Sequence, residues 1–460
     1  MTGPAFSFPA VQIAIVTGEA SGDRVAGQLA REIKTLRPDA EIWAVGGKHL
    51  RDAGAEVLFD PSRYSVIGAA SAVRVLPGLL AACARIRREL VRRRPDVFVP
   101  VDAGAVNVPF CAWTRRNLPD TRILYYFPPG SWRRQLGGTK LAGGLVDRVA
   151  TPFPWSESEL RRLGVDATFV GHPLLDLARP SVPPEEFAAR VGLDLNRPVV
   201  GLLPGSRAHE IELILPDQLR AAAIIARRVP GVQFLLALAP TVTRDQVIRQ
   251  VERVERERAH RHSEEEDARH GGYSDTAART SARPALITTG GALVPGDPDA
   301  ARRRDWLRRA DEPAARARGA NGLPLAIVED ATYDVMAASD VLITTSGTAT
   351  LEAALMNKPM VIVYRLAKAN LLEFFLIKKS LPPHIGMPNL LLERRACPEL
   401  VQDEMTPGNI AREVIALLVE PERLLRMKDD LREATQLLGE PGGARRAAQM
   451  VVDLAEEQRK

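Results

Sequence analysis

Three short runs of small and polar residues close apolar stretches of this chain, where backbone amides and a few side chains can face a ligand. The first is Thr17-Gly18-Glu19-Ala20-Ser21-Gly22-Asp23. Two glycines and a serine open backbone N–H groups and a following helix start to an anion or to sugar hydroxyls. The same residues fit a tight turn with Ser21 or Asp23 capping the helix, and the spacing leaves both readings open. The run is not a GxGxxG fingerprint, so NAD is not indicated. The second run is Leu203-Pro204-Gly205-Ser206-Arg207-Ala208-His209-Glu210. Gly205 and Ser206 open the backbone, and Arg207 brings a planar fork suited to diphosphate. An ion pair of Arg207 with Glu210 or Glu212 competes with that reading. Phosphate binding is preferred, because open α/β sheets bind ligands at strand ends. The third run is Thr344-Thr345-Ser346-Gly347-Thr348-Ala349-Thr350-Leu351-Glu352. Ser346, Thr348 and the loop amides can hold phosphate oxygens at a helix start, while Glu352, one turn in, can accept from a ribose hydroxyl. A hydroxyl-capped helix would account for Ser346 or Thr348 but not for the whole run. Two such loops at neighbouring strand ends predict one nucleoside diphosphate, and without a P-loop lysine ATP hydrolysis is disfavoured.

Asp102 ends the apolar run VFVPVDAG, a place for general-base work on a hydroxyl nucleophile or for a simple loop anchor. His172, in Gly171-His172-Pro173, falls at the expected domain junction, as a structural histidine or as a ligand contact. Arg85, Arg87, Arg88, Arg92, Arg93 and Arg94 are opposed within their span only by Glu89, and they follow the apolar stretch 64–84. Apolar surface beside a basic face suits a protein lying on an anionic membrane, and a solvated basic helix face is the alternative. No aromatic residue interleaves with these arginines, which argues against nucleic acid.

The elements that must position these residues alternate. VQIAIVTG (11–18), EIWAVGG (41–47), DVFVPVDA (96–103), RILYYF (122–127), RVATPF (148–153) and ATFVGHP (167–173) read as strands between helical stretches. After SVPPEEF (181–187) the pattern restarts with PVVGLLPGS (198–206), a helix near 210–228 and VQFLLALAP (232–240), and residues 325–364 continue it. Continuous apolar strands alternating with helices predict parallel sheets covered on both faces. The expected domains are 1–180, 195–405 and a set of C-terminal helices over 406–460, the last packing across either domain. Residues 251–322, mixed in charge and then rich in Gly, Ser, Thr and Arg, are expected to form a surface insertion, partly disordered. His260, His262 and His270 inside it are read as solvated, with a metal cluster as the minor alternative.

Composition narrows the class. The chain has 460 residues, 45% of them apolar and 26% charged, which excludes a fibrous or wholly disordered protein. A formal net charge of +5 over this length does not by itself point to nucleic acid. Three cysteines, Cys83, Cys111 and Cys397, make neither a disulfide framework nor a zinc module. No metal or organic cofactor is expected. The start of the chain lacks a basic n-region and an apolar core ahead of a cleavage site, and no stretch is an uninterrupted bilayer span, so a cytoplasmic protein is expected.

In order, IVTGEASGD (15–23), VFVPVDA (97–103), VGHPLLD (170–176), LLPGSRAHEIE (202–212), SGTATLEAAL (346–355), KPMVIVYR (358–365) and MPNLLLE (387–393) resemble the lipid-A-disaccharide synthase family. The resemblance spans most of the chain outside 251–322. It implies a GT-B glycosyltransferase: two Rossmann-like parallel-sheet domains facing a cleft, with C-terminal helices crossing between them or exchanged in a homodimer. The implied reaction transfers an acylated glucosamine from its UDP carrier to an acylated glucosamine 1-phosphate, without a metal, at the inner face of the cytoplasmic membrane. On this resemblance Asp102 matches the family's essential aspartate and Arg207 its essential arginine. Ser206, Ser346, Gly347, Thr348, Glu352 and Asn389 fall on the nucleotide side, and Gly18, Glu19 and Ser21 in the acceptor-side loop. Where the family usually reads Asp-Ala-Pro-Asp-Phe-Asn, this chain reads Asp102-Ala-Gly-Ala-Val-Asn107, with Ala105 in place of the second carboxylate. The segment after the tyrosine strand keeps Trp132 and Gln135 but departs elsewhere. These departures lie on the acceptor side. They keep open a different acceptor, a UDP-sugar 2-epimerase, or a non-catalytic relative that binds UDP or lipid.

Overall fold

The first strand, β1 (Gln12–Thr17), is apolar on both faces: Ile13 and Ile15 pack into one core cluster, Ala14 and Val16 into another. Such a strand must be covered on both sides, which parallel neighbours joined by crossover helices achieve. The computed structural model describes residues 10–18, 20–61, 69–128, 130, 141, 144–270, 323–366 and 383–459. The chain divides into two units, Met1–Leu177 with Thr435–Lys460, and Ala178–Ala434.

In the first unit β1 is followed by α1 (Ala20–Leu36), β2 (Glu41–Val45), α2 (Lys48–Asp52), β3 (Glu56–Phe59), α3 (Ala69–Arg93), β4 (Val97–Val101) and α4 (Gly104–Asn117). Then come β5 (Arg122–Tyr126), β6 (Arg148–Thr151), α5 (Pro154–Arg162), β7 (Ala167–Phe169) and α6 (Leu174–Leu177). The seven strands pair in parallel in the order β3-β2-β1-β4-β5-β6-β7, so the direction of winding reverses between β1 and β4.

The second unit contains α7 (Pro184–Val191), β8 (Val199–Leu203), α8 (Ala208–Leu213), α9 (Leu215–Arg228), β9 (Gln233–Leu238), α10 (Arg244–His270) and β10 (Leu325–Glu329). It continues with α11 (Thr332–Ala338), β11 (Val341–Thr345), α12 (Thr348–Leu355), β12 (Met360–Tyr364), α13 (Met387–Leu392), β13 (Glu399–Val401), α14 (Pro407–Val419) and α15 (Pro421–Gln436). Its six strands are parallel in the order β10-β9-β8-β11-β12-β13, and here the winding reverses between β8 and β11. One apolar cluster, built from these strands and from residues such as Leu219, Ile225, Ile410, Val414 and Leu424, fills the unit.

The last helix, α16 (Gly443–Gln458), returns to the first unit, where Ala447, Ala448, Val451, Leu454 and Ala455 cover the Ile13 and Ile15 face beside α1. Of the C-terminal helices expected as one group over 406–460, α14 and nearly all of α15 belong to the second unit and only α16 to the first.

Every strand expected from an apolar run is present, and three features differ from expectation. The short edge strands β3 and β13 carry too few apolar residues to stand out. The helix expected near 210–228 is two helices, broken at Ile214 ahead of Pro216, and the C-terminal group is broken at Glu420 ahead of Pro421. Proline disfavours helical geometry in the residue before it, which accounts for the second break directly. The third is α10, which runs on to His270, so the first twenty residues of the expected insertion are helical. An Arg253–Glu257 pair at i,i+4 and buried Val254 support the turns with which it enters the expected insertion. Residues 271–322 and the side chains of His260, His262 and His270 lie outside the described residues.

Candidate functional site

In the first unit the loops after β1 and β4 flank the reversal of winding, where open parallel sheets take their ligands. They are in contact: a Cβ on Gly18 would collide with that of Ala103. Asp102 and Ala103 both adopt left-handed backbone, at φ 50° and 46°. For residues with a side chain this costs roughly 1–3 kcal/mol each and persists only where surroundings impose it. The imposing groups are visible. The Asp102 N–H donates to the Tyr126 carbonyl at 3.2 Å, and the Asp102 carbonyl accepts from the Tyr125 hydroxyl at 2.6 Å and from Asn107 Nδ2 at 3.0 Å. Asn107, fully buried, also donates to the carbonyls of Val16 at 3.3 Å and Val101 at 3.1 Å, tying the ends of β1 and β4 to the start of α4. Asp102 is half-buried at this junction, and the N-cap position of α4 belongs to Ala103.

Asp23 does not cap α1. It lies in the first turn of α1, and its carboxylate accepts from the N–H groups of Gly47 at 2.6 Å, His49 at 2.9 Å and Leu50 at 3.4 Å, closing the N-terminus of α2. Ser21 lies on α1; its side chain and all of Glu19 fall outside the described residues, as do Trp132 and Gln135.

His172 is 3% exposed, between Phe127 and Phe153 with ring centroids 5.2 and 5.4 Å away. Its Nδ1 accepts the Leu174 N–H at 3.2 Å, and burial pushes its pKa down to about 3. Burial against these two rings keeps the imidazole neutral and, of the two readings left open by the sequence, favours the structural one.

In the second unit the loops after β8 and β11 flank the reversal of winding, joined by the Thr345 hydroxyl, which donates to the Leu203 carbonyl at 3.1 Å. Gly205, at φ 115°, lets the backbone turn against Glu210, whose carboxylate would collide with any Cβ there. Glu210 is 3% exposed; its Oε2 accepts from the amides of Ser206 at 2.8 Å and Arg207 at 3.1 Å, and its Oε1 lies 3.1 Å from the Arg207 guanidinium. Ser206 is exposed and Arg207 half-buried.

Ser346 donates through its hydroxyl to the Ile385 carbonyl at 2.7 Å. Gly347, at φ 144°, occupies the N-cap of α12 with no side-chain cap, and Gly347 and Thr348 are exposed. One turn into α12, buried Glu352 accepts from the Tyr333 hydroxyl at 2.8 Å. Asn389, expected on the nucleotide side, is fully buried: its Nδ2 donates to the Cys397 carbonyl at 2.9 Å and to Glu399 Oε1 at 2.8 Å, and its Oδ1 accepts from the amides of Ala396 and Cys397, both at 2.8 Å. Every polar group of this side-chain amide is engaged by the chain, which favours a part in shaping the segment behind the loop.

The second unit thus brings Ser206, Arg207, Ser346, Gly347 and Thr348 to adjacent strand ends and leaves Asn389 behind them. Reading the sequence assigned no role to Tyr125, Asn107 or Glu399 and treated Glu210 only as a rival partner for Arg207. An acidic residue at the third position of a helix, as in a capping box, was the available signal for Glu210. Tyr125 and Glu399 gave none, because each acts on a residue ten or more positions away through the fold.

Comparison with known proteins identifies the family. The sequence model of the family described as lipid-A-disaccharide synthetase matches residues 13–286 and 315–453. The lipid-A-disaccharide synthase of Geobacter sulfurreducens is 31% identical over 448 residues, 97% of this chain and 98% of that protein. That of Syntrophus aciditrophicus is 30% identical over 445 residues, 96% and 97% of the two chains. Among solved structures, S. aureus MnaA in its UDP co-structure superposes with a TM-score of 0.56 at 10% identity, covering 95% of this chain and 94% of that one, a likeness of fold alone. Two parallel sheets, each with small-residue loops at its reversal, and relatives matched along nearly their whole length place this chain in the lipid-A-disaccharide synthase family.

Proposed function

We propose that this chain transfers 2,3-diacylglucosamine, with inversion, from UDP-2,3-diacylglucosamine to 2,3-diacylglucosamine 1-phosphate (lipid X), forming the tetraacyl disaccharide 1-phosphate of lipid A synthesis. The match to lipid-A-disaccharide synthases along nearly their whole length carries this reading. In it the Asp102 carboxylate takes the proton of the acceptor hydroxyl as that oxygen bonds to the anomeric carbon, and the bond from carbon to UDP breaks. Arg207, Ser206 and the amides at the start of α12, with Ser346, Gly347 and Thr348, stabilise the charge gathering on the departing diphosphate. Glu352, oriented by Tyr333, accepts from the ribose, and Gly18, Glu19 and Ser21 form the acceptor-side loop.

Contact with the inner face of the cytoplasmic membrane is part of the same reading. No helix among the described residues is long and apolar enough to cross a membrane. What supports peripheral contact is a single exposed side of α3 that runs from Leu80 and Ala84 to Arg85, Arg88, Val91 and Arg92. The test is UDP release from UDP-2,3-diacylglucosamine in detergent, with and without lipid X, for the wild type and Asp102→Asn. Release that requires lipid X and falls by orders of magnitude in the variant supports the proposal. UDP binding without release overturns it in favour of a binding protein or of an epimerase, which keeps UDP on the sugar, and release without acceptor in favour of a hydrolase.

A further inference from the structure

We infer that Tyr125 is a positioning residue for transfer, acting through the backbone of Asp102. The inference rests on the reading of Asp102 as the base. Asp102 and Ala103 are consecutive left-handed residues, an arrangement that relaxes unless the surroundings hold it, and the Asp102 side chain moves with its own backbone. Which arrangement is populated depends on what holds the Asp102 carbonyl. Two groups do: the Tyr125 hydroxyl at 2.6 Å and Asn107 Nδ2 at 3.0 Å. Asn107 shares its amide among three carbonyls, whereas the Tyr125 hydroxyl makes the shortest of these bonds, to Asp102 itself.

Tyr125 is suited to the task by its place in the sheet. It is the fourth residue of β5, and β5 pairs with β4, so its ring is locked in the core against residues such as Phe98, Phe110 and Cys111. Only the oxygen at its tip reaches the strand end. Burial raises the phenol pKa far above its ordinary value, so the hydroxyl remains protonated, and remains a donor, at any pH at which the protein works. A rigid aromatic ring, fully buried in the core, thus carries one hydrogen bond to the backbone of the proposed base.

Tyr125→Phe keeps the ring and deletes the bond. We expect kcat to fall about ten- to a hundredfold, with KM for both substrates and UDP affinity unchanged. A structural role would lower the melting temperature and would reduce the rate in any background, so the deciding measurement is a cycle with Asp102→Asn. If Tyr125 acts through Asp102, adding Tyr125→Phe to Asp102→Asn changes the residual rate by less than about twofold. Equal losses in both backgrounds, or no loss in the wild type, overturn the inference. A wild-type rate in Asp102→Asn would instead overturn the reading of Asp102, a separate result. Should Tyr125→Phe fail to accumulate, the cycle is run with Ala103→Gly added to all four proteins, since glycine occupies the left-handed position without strain. In that background the loss in Tyr125→Phe alone is expected to shrink, because part of the strain it would release is already gone, while adding Tyr125→Phe to Asp102→Asn still changes the residual rate by less than about twofold; equal losses in both Asp102 backgrounds overturn the inference.

Discussion

The guanidinium of Arg207 lies 3.1 Å from Oε1 of Glu210, while Oε2 of the same carboxylate accepts the Arg207 amide, also at 3.1 Å. Ion pairing and phosphate binding had been rival readings of Arg207, and this geometry makes them compatible. Glu210 is buried, with a side-chain exposure of 4%, while that of Arg207 is 35%. The carboxylate shapes the loop from inside and leaves the guanidinium partly presented to solvent. A guanidinium has five donors, so one bond to Glu210 orients the fork without saturating it.

Arg207→Ala is expected to weaken UDP binding about ten- to a hundredfold, the range for hydrogen bonds to charged groups, as read by titration calorimetry. Glu210→Gln should act mainly on stability, because the buried acceptor of two amides and a guanidinium is weakened; a fall of about 1–3 kcal/mol in unfolding free energy is expected from denaturant titration. UDP affinity unchanged in Arg207→Ala would remove that residue from the diphosphate site.

Asn389→Ala separates structure from binding. It leaves the amides of Ala396 and Cys397 and the Cys397 carbonyl without their partner, and should cost about 1–3 kcal/mol of stability for each group left buried and unpaired. UDP affinity per folded molecule should stay within about twofold of wild type. A variant of normal stability that no longer binds UDP would return Asn389 to the nucleotide site.

His172 makes the first unit acid-sensitive. Its folded pKa is pushed down to about 3, against about 6.5 in the unfolded chain. Between those values the unfolded state binds a proton that the folded state refuses, so this contribution to stability is complete above pH 6.5 and is lost as pH falls toward 3. Unfolding free energies at pH 7, 6, 5 and 4 should decline more steeply in the wild type than in His172→Gln, by at most about 1.4 kcal/mol per pH unit. Parallel slopes would show that the ring titrates in the folded protein as it does in the unfolded chain.

The basic stretch of α3 is expected to bind anionic vesicles in a salt-dependent manner. Arg85→Glu and Arg88→Glu should each lower the partition coefficient about fivefold or more, with neutral vesicles unaffected. Sedimentation with vesicles of each composition at low and high salt reads both effects, and equal binding to neutral and anionic vesicles would refute the electrostatic part.

The alternation of apolar strands with helices, and the small-residue loops that close β1, β8 and β11, are properties of the sequence alone. Burial on both faces of a parallel strand demands a continuous apolar run, and a tight strand-to-helix turn demands glycine and hydroxyl residues, so composition and spacing carry both signals. The chemistry proposed for Asp102, Arg207 and the 346–352 loop was legible for that reason. What the tertiary structure decided is which polar residues face the chain and which face a ligand. The sequence leaves His172 open between a structural and a ligand role, and resemblance puts Asn389 on the nucleotide side; folding surrounds the first with phenylalanine rings and engages the side-chain amide of the second with the 396–399 segment. Arg85, Arg87 and Arg93 have no aromatic neighbour in sequence, yet they lie over Phe59, Phe110, Trp113 and Trp43 in the fold. Tyr125 reads as one more apolar strand residue, and its role depends on a carbonyl 23 residues away. Periodicity reports the environment of a residue's own element; a hydrogen bond across neighbouring strands depends on register and strand order, which only the folded sheet sets.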